Sequence, residues 1–132
     1  MQFTLTEEQE DIRTAVRQFA ADEIDPVANA LDRKGEYPAD ILRDLGEKGY
    51  VGMTLSEEYG GLDYGLAEYA LAIEEISASL MGVASAINVH VITATLLDDY
   101  GNDRLKDEYL ESMASFETVG AFGLTEPNAG SD

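Results

Sequence analysis

Ile76-Ser-Ala-Ser-Leu-Met-Gly-Val-Ala-Ser-Ala-Ile-Asn-Val-His-Val-Ile-Thr-Ala-Thr-Leu-Leu97 runs for 22 residues without one charged side chain. The rest of the chain is crowded with charge: 27 Asp and Glu against 8 Lys and Arg in 132 residues, a formal net charge of −19. A run of that length has the reach of a membrane span. Ser77, Ser79, Gly82, Ser85, Asn88, His90, Thr93 and Thr95 make it too polar for one. A helix apolar on nearly all sides is instead one buried at the centre of a bundle. The expectation is a core helix from Val83 to about Asp99, separated from the helix before it at Gly82.

Working outward, the flanking segments supply the helices such a core needs. Thr6 followed three residues on by Gln9 is a capping box, with Glu7 and Glu8 where a helix dipole favours negative charge. Ile12, Val16 and Phe19 continue it as an apolar stripe. Asp25-Pro26 reads as a new helix start, with Val27, Ala28 and Leu31 as its buried face and Lys34-Gly35 as its end. A third helix begins near Pro38, shows Ile41, Leu42 and Leu45, and stops near Gly49. Val51 to Leu55 is expected to pass along the core in extended form, before a glycine-rich turn from Tyr59 to Gly65. The fourth helix places Leu66, Tyr69, Ala70, Ile73 and Ser77 on one face. Glu74 and Glu75, adjacent and therefore about 100° apart on that helix, read as a solvated side and not as an acid–base pair. Past the core helix, Gly101 and Asn102 mark a boundary, and Leu105, Tyr109, Leu110 and Met113 carry a last helix to about Ala114.

After Glu117 the pattern changes. Val119-Gly-Ala-Phe-Gly-Leu124 is a short apolar run that suits a buried strand, and one strand cannot form a sheet unaided. The fold class expected is all-α: an N-terminal helical bundle of about six helices over residues 1–116. One strand and a loop, residues 117–132, would begin a β-domain, so the chain reads as unfinished.

The charge excludes some partners and says little about fold. A chain at −19 repels nucleic-acid phosphates and anionic lipid. It suits a salt-rich cytoplasm, where screening relieves self-repulsion. No cysteine is present, so there is neither a disulfide scaffold nor a thiolate metal site. The N-terminus shows no basic region followed by an apolar core, the mark of a secretory signal.

The chemistry is concentrated in the last ten residues, Gly123-Leu-Thr-Glu-Pro-Asn-Ala-Gly-Ser-Asp132. Gly123, Gly130 and Pro127 indicate a defined turn, with Thr125, Asn128, Ser131 and Asp132 as polar groups at its edge. Small residues let backbone amides approach a ligand closely, and concave amide arrays bind anionic or carbonyl oxygens. The order of residues closely resembles the loop that opens the middle β-domain of acyl-CoA dehydrogenases. Glu57-Glu-Tyr-Gly-Gly61, Tyr100-Gly-Asn-Asp103 with Tyr109-Leu110, Phe3-Thr-Leu-Thr-Glu-Glu-Gln9 and Gly35-Glu-Tyr-Pro38 resemble that family too, in collinear order along the whole chain.

The resemblance implies an N-terminal helical domain, a middle β-domain and a C-terminal helical domain, assembled in the full-length form as a cytoplasmic homo-oligomer. It implies FAD as cofactor and an acyl-CoA thioester as substrate of α,β-desaturation. A glutamate would take the α-proton, the β-hydride would pass to the flavin, and an electron-transfer flavoprotein would accept the electrons. Carried onto this chain, Phe122, Gly123, Leu124, Thr125 and Ser131 lie along the flavin, the Thr125 hydroxyl and nearby amides bond its polar edge, and Ser131 also touches the CoA part. Glu126 is expected to support the loop and not to act as base. Ala84, Asn88 and Ile92, at i, i+4 and i+8 of the core helix, are candidates to line an acyl pocket. His90, the only histidine, is expected in the core with one nitrogen satisfied. The family's base lies in its C-terminal domain, so residues 1–132 alone are expected not to turn over. Acyl-CoA oxidases and some flavin monooxygenases share the scaffold, and a non-catalytic helical assembly module is the alternative from another class.

Overall fold

The structure is a computed structural model and describes residues 4–131. Phe3 and Asp132, which belong to two of the motifs above, lie outside the described residues. Six α-helices account for most of the described chain: α1 (Glu7–Phe19), α2 (Asp25–Lys34), α3 (Ala39–Glu47), α4 (Leu66–Ser79), α5 (Met81–Tyr100) and α6 (Asp103–Ala114). The all-α bundle is as expected. Residues 119–124 form no ladder among the described residues, where a strand was anticipated; the only β-type pairing described is the Glu126–Ala129 bridge in the loop beyond.

Helix α1 opens with the full capping box: the Gln9 amide donates to Thr6 Oγ1 at 3.2 Å, and the Thr6 amide donates to Gln9 Oε1 at 3.1 Å. Its stripe of Ile12, Val16 and Phe19 is buried against α4. Helix α2 begins at Asp25 with Pro26 in its first turn, as expected, but Asp25 is not its cap and the chain does not break before it. Ala20–Ile24 forms a π-helical turn that leads from α1 into α2 with Ile24 and Asp25 both in helical conformation. A widened turn just before Pro26 makes room for a ring that lacks an amide hydrogen and would crowd the carbonyl four residues back. Helix α2 buries none of its residues, and Val27 is 40% exposed, so the face assigned to Val27, Ala28 and Leu31 is at best half-covered.

Helix α3 packs Ile41, Leu42 and Leu45 inward. At Gly46 a Cβ would stand 2.4 Å from the Ser115 carbonyl oxygen, so only glycine lets α3 lie this close to the end of α6. Val51, Met53 and Leu55 are buried as anticipated, each 1% exposed. They follow turns and not an extended path, the Leu55 amide closing one onto the Gly52 carbonyl at 3.0 Å. Helix α4 is rotated from its expected face: Ala72 and Ile76 are buried, whereas Leu66 and Ala70 are exposed.

Leu80, in extended conformation, divides α4 from α5, so the break falls two residues before Gly82. Helix α5 is long and apolar enough to cross a membrane by length and composition. It packs as the centre of the bundle, touching α3, α4 and α6. Val83, Ala84, Ile87, His90, Val91 and Ala94 are its buried arc. That arc covers only part of the helix; Val89, Ile92 and Leu96 are between 41% and 46% exposed, which corrects the expectation of burial on nearly all sides. Asn102 caps α6 through its side chain, accepting from the Leu105 amide at 3.1 Å. Leu110, Met113 and Ala114 join Leu55 and Ala94 in a second, smaller apolar cluster.

Candidate functional site

The chain leaves α6 through Ser115 and turns sharply at Phe116, whose φ of 65° is unusual for a bulky residue. Burial holds it there: the Phe116 ring is 8% exposed and meets His90 edge-on, centroids 5.0 Å apart. Thr118 is tied to Ser112 twice, its amide donating to the Ser112 carbonyl at 2.9 Å and its hydroxyl accepting from Ser112 Oγ at 2.9 Å. The Gly120 amide donates to His90 Nδ1 at 2.9 Å. From residue 121 to 131 every side chain is exposed.

Within that exposed stretch the loop has a shape of its own. The Glu126 amide donates to the Ala129 carbonyl at 2.8 Å and the Ala129 amide returns to the Glu126 carbonyl at 3.2 Å, closing a turn with Pro127-Asn128 at its tip. Proline presets the first central position of such a turn and asparagine suits the second. The loop then curls back, a Cβ on Gly130 standing 3.2 Å from Thr125 Cγ2. Thr125 to Ser131 thus line one shallow hollow. Glu126 supports the loop through its main chain.

Phe122, Gly123, Leu124, Thr125 and Ser131 fall on one short exposed segment and its return. Phe122 is 45% exposed and Leu124 75% exposed, and the Gly123, Leu124 and Thr125 amides make no hydrogen bond among the described residues. Apolar side chains beside uncommitted amide and hydroxyl donors are what one wall of a flat, polar-edged ring requires.

Ala84, Asn88 and Ile92 do not line one surface. Ala84 is buried, Ile92 is 46% exposed, and the Asn88 side chain accepts a short hydrogen bond from the Tyr69 hydroxyl between α4 and α5. Burial pushes the Tyr69 hydroxyl up to about 12, so it remains a donor. Residues at i, i+4 and i+8 drift by about 40° per step around a helix, enough to carry the series from core to surface. The residues exposed along one side are instead Val89, Ile92 and Leu96. Their charge-free spacing was visible in the sequence but has the same form as a core stripe.

His90 is fully buried, and both ring nitrogens are engaged, one more than expected. Because Nδ1 accepts from the Gly120 amide, Nε2 carries the hydrogen and donates to the Met113 carbonyl at 3.0 Å. Burial lowers its pKa, and the Met113 carbonyl opposes that shift. Glu75, expected on a solvated side, is largely covered and receives both Nε and Nη2 of Arg17 at 2.9 and 2.7 Å. Those bonds hold its carboxyl below the usual range, and the pair joins α1 to α4. Glu74 is exposed.

Residues 6–117 match the family model described as "Acyl-CoA dehydrogenase, N-terminal domain". The short-chain-specific acyl-CoA dehydrogenase of Clostridium acetobutylicum is 38% identical over 100% of this chain and 35% of its own length. A solved glutaryl-coenzyme A dehydrogenase in complex with glutaryl-CoA aligns with a TM-score of 0.93 and 33% identity, covering 100% of this chain and 34% of that one. An FAD complex of PigA aligns with a TM-score of 0.92 and 29% identity, over 100% of this chain and 35% of that one. The chain spans about a third of the length of the curated relatives it matches.

Proposed function

Because the chain belongs to the acyl-CoA dehydrogenase family, matching its N-terminal domain, we propose that it supplies the helical part of a flavin-dependent oxidoreductase that desaturates an acyl-CoA thioester. Residues 1–116 act as the helical domain, and residues 117–132 lead into a β-domain. The observation that carries this reading is the exposed loop from Phe122 to Ser131, which presents apolar side chains and uncommitted donors together.

FAD, when bound, supplies the hydride acceptor. The chain's own residues then have defined tasks. Phe122 and Leu124 would supply the apolar contact that shields the ring from water. The Thr125 hydroxyl and the neighbouring amides would donate hydrogen bonds to it, and fixed donors of that kind favour negative charge. Ser131, at the far lip of the hollow, binds the CoA part of the substrate. The base that takes the α-proton lies outside residues 1–132, so the isolated chain does not turn over. An electron-transfer flavoprotein accepts the electrons, and the full-length form is a cytoplasmic homo-oligomer.

Flavin absorbance of the protein isolated from its source, and its bleaching by straight-chain acyl-CoA, tests the reading. Absence of flavin, or flavin indifferent to every acyl-CoA, would sink it in favour of an assembly module or another reaction on the same scaffold. Turnover by the isolated 132 residues would overturn the placement of the base. The charge of −19 supports one more proposal, that the protein works in high salt. Its unfolding midpoint should rise steeply between low and molar KCl, and a flat response contradicts it.

A further inference from the structure

The loop from residue 121 to 131 is exposed throughout, yet it leaves the helical body from one fixed point. Gly120 sits against α5 so closely that a Cβ there would stand 2.9 Å from Thr93 Cβ, 2.9 Å from Met113 Cε and 3.1 Å from the His90 carbonyl oxygen. Its amide points at His90 Nδ1, 2.9 Å away. The other ring nitrogen is bonded to the Met113 carbonyl at 3.0 Å, on α6. One imidazole therefore bridges α6 and the departing strand of chain from its seat on α5. Past Gly120 no further hydrogen bond ties the loop to the helical body among the described residues.

We propose that His90 is a positioning residue: its buried ring, gripping Met113 on one side and Gly120 on the other, sets where and in what direction the loop carrying Phe122 to Ser131 leaves the bundle. The ring alone can do this among the neighbours, because it presents an acceptor and a donor on opposite edges at a fixed separation. An aliphatic side chain of similar size would fill the space and leave both the Gly120 amide and the Met113 carbonyl without this partner. A residue that merely filled the core would not need two oriented nitrogens. The inference rests on the flavin-loop reading for its functional consequence, and on the contacts alone for its geometry.

The two edges of the ring can be removed separately. In H90N the amide oxygen lies near the place of Nδ1 and can still accept from Gly120, while the bond to Met113 is lost. In H90Q the longer side chain can still donate to Met113, while the acceptor for Gly120 is lost. Both lose the ring's contact with Phe116. Residue-resolved hydrogen exchange of the 132-residue chain should show the Gly120 amide exchanging about tenfold faster in H90Q than in H90N, the worth of one neutral hydrogen bond. Amides inside α5 and α6, such as Ile87 and Leu110, should exchange alike in the two variants. Equal exchange at Gly120 in both overturns the proposal. Nitrogen-15 spectra of the unaltered chain give a measurement that needs no variant: a ring protonated at Nε2, with Nδ1 coupled to the Gly120 amide, supports the latch. Protonation at Nδ1 overturns it. Neither readout contains flavin, so failure here is separate from failure of the flavin test.

Discussion

The helical body and the terminal loop are built on opposite terms. Every buried residue described lies at or before Phe116, whereas residues 121–131 are exposed without exception. The body takes its shape from packing, with Leu42, Leu45, Ile87 and Leu110 at 0% exposure. The loop takes its shape from a two-bond turn, a proline and the anchor at Gly120. Such a division leaves the Gly123, Leu124 and Thr125 amides and the Phe122 and Leu124 side chains with no part in holding the fold. It also means that stability and function should respond to different substitutions.

The widest separation is expected between a core leucine and a loop leucine. Leu45→Ala should cost about 2–5 kcal/mol, the range for truncating a buried leucine that leaves a cavity. Leu124→Ala, at a residue 75% exposed, should stay within about 0.5 kcal/mol while reducing flavin retention in the holoprotein. Urea unfolding of both variants reads the difference. Comparable losses would show that the loop packs on the body after all.

Next in size is the seam between the regions. Gly120→Ala inserts a methyl group into a space already closed by Met113, Thr93 and the His90 carbonyl. The cost should be about 1–3 kcal/mol, as for overpacking elsewhere. The same substitution at Gly123, where nothing stands within 4 Å of the added Cβ, should be nearly neutral. Equal costs at the two glycines, measured by thermal unfolding, would mean that the anchor at Gly120 is not a fixed point.

Local signals in the sequence were read well where they concern one stretch of chain at a time. The Thr6–Gln9 box, the Ile12–Val16–Phe19 stripe and the Asn102 cap all stand where spacing placed them. The errors occur where a second element decides the outcome. Asp25-Pro26 carries the marks of a helix start, but a π turn lets the helix continue, and no residue type announces that turn. Leu66 and Ala70 on α4, and Val89, Ile92 and Leu96 on α5, are apolar by composition and exposed in fact. Periodicity reports that a face is apolar and not which neighbour covers it. The turn inside the loop was legible from Pro127, whereas the link from His90 to Gly120 spans 30 residues and has no local signature.

Inside the body, the Arg17–Glu75 pair should contribute less than the seam. Its two hydrogen bonds are charge-assisted and Glu75 is largely covered, but Arg17 remains 60% exposed. Glu75→Gln should cost about 1 kcal/mol, toward the upper end for such pairs because the contact is bidentate. The loss should shrink in high salt, where charge pairing is screened. A loss that does not depend on salt would assign Glu75's role to packing.

The least effect is expected from acid, and it isolates the residue that joins the two regions. Burial holds the His90 ring below its ordinary value of 6.5, while the bond to the Met113 carbonyl opposes that shift. Between the lowered value and 6.5 the unfolded chain binds the extra proton and the folded chain does not, so stability rises with pH across that window. It is fully present above 6.5 and is lost as pH falls toward the folded value. The unaltered chain also carries 27 acidic residues. Subtracting the profile of H90Q removes their contribution, because that variant keeps every carboxylate and loses only the imidazole. The difference in unfolding free energy should decline as pH is lowered from 6.5 toward the folded value, and the Gly120 amide should lose protection as pH falls through that folded value, since a ring protonated at both nitrogens has no lone pair to accept from it. A difference that is flat in pH would separate the anchor from the protonation state of His90 and leave the ring as a spacer between α6 and the loop.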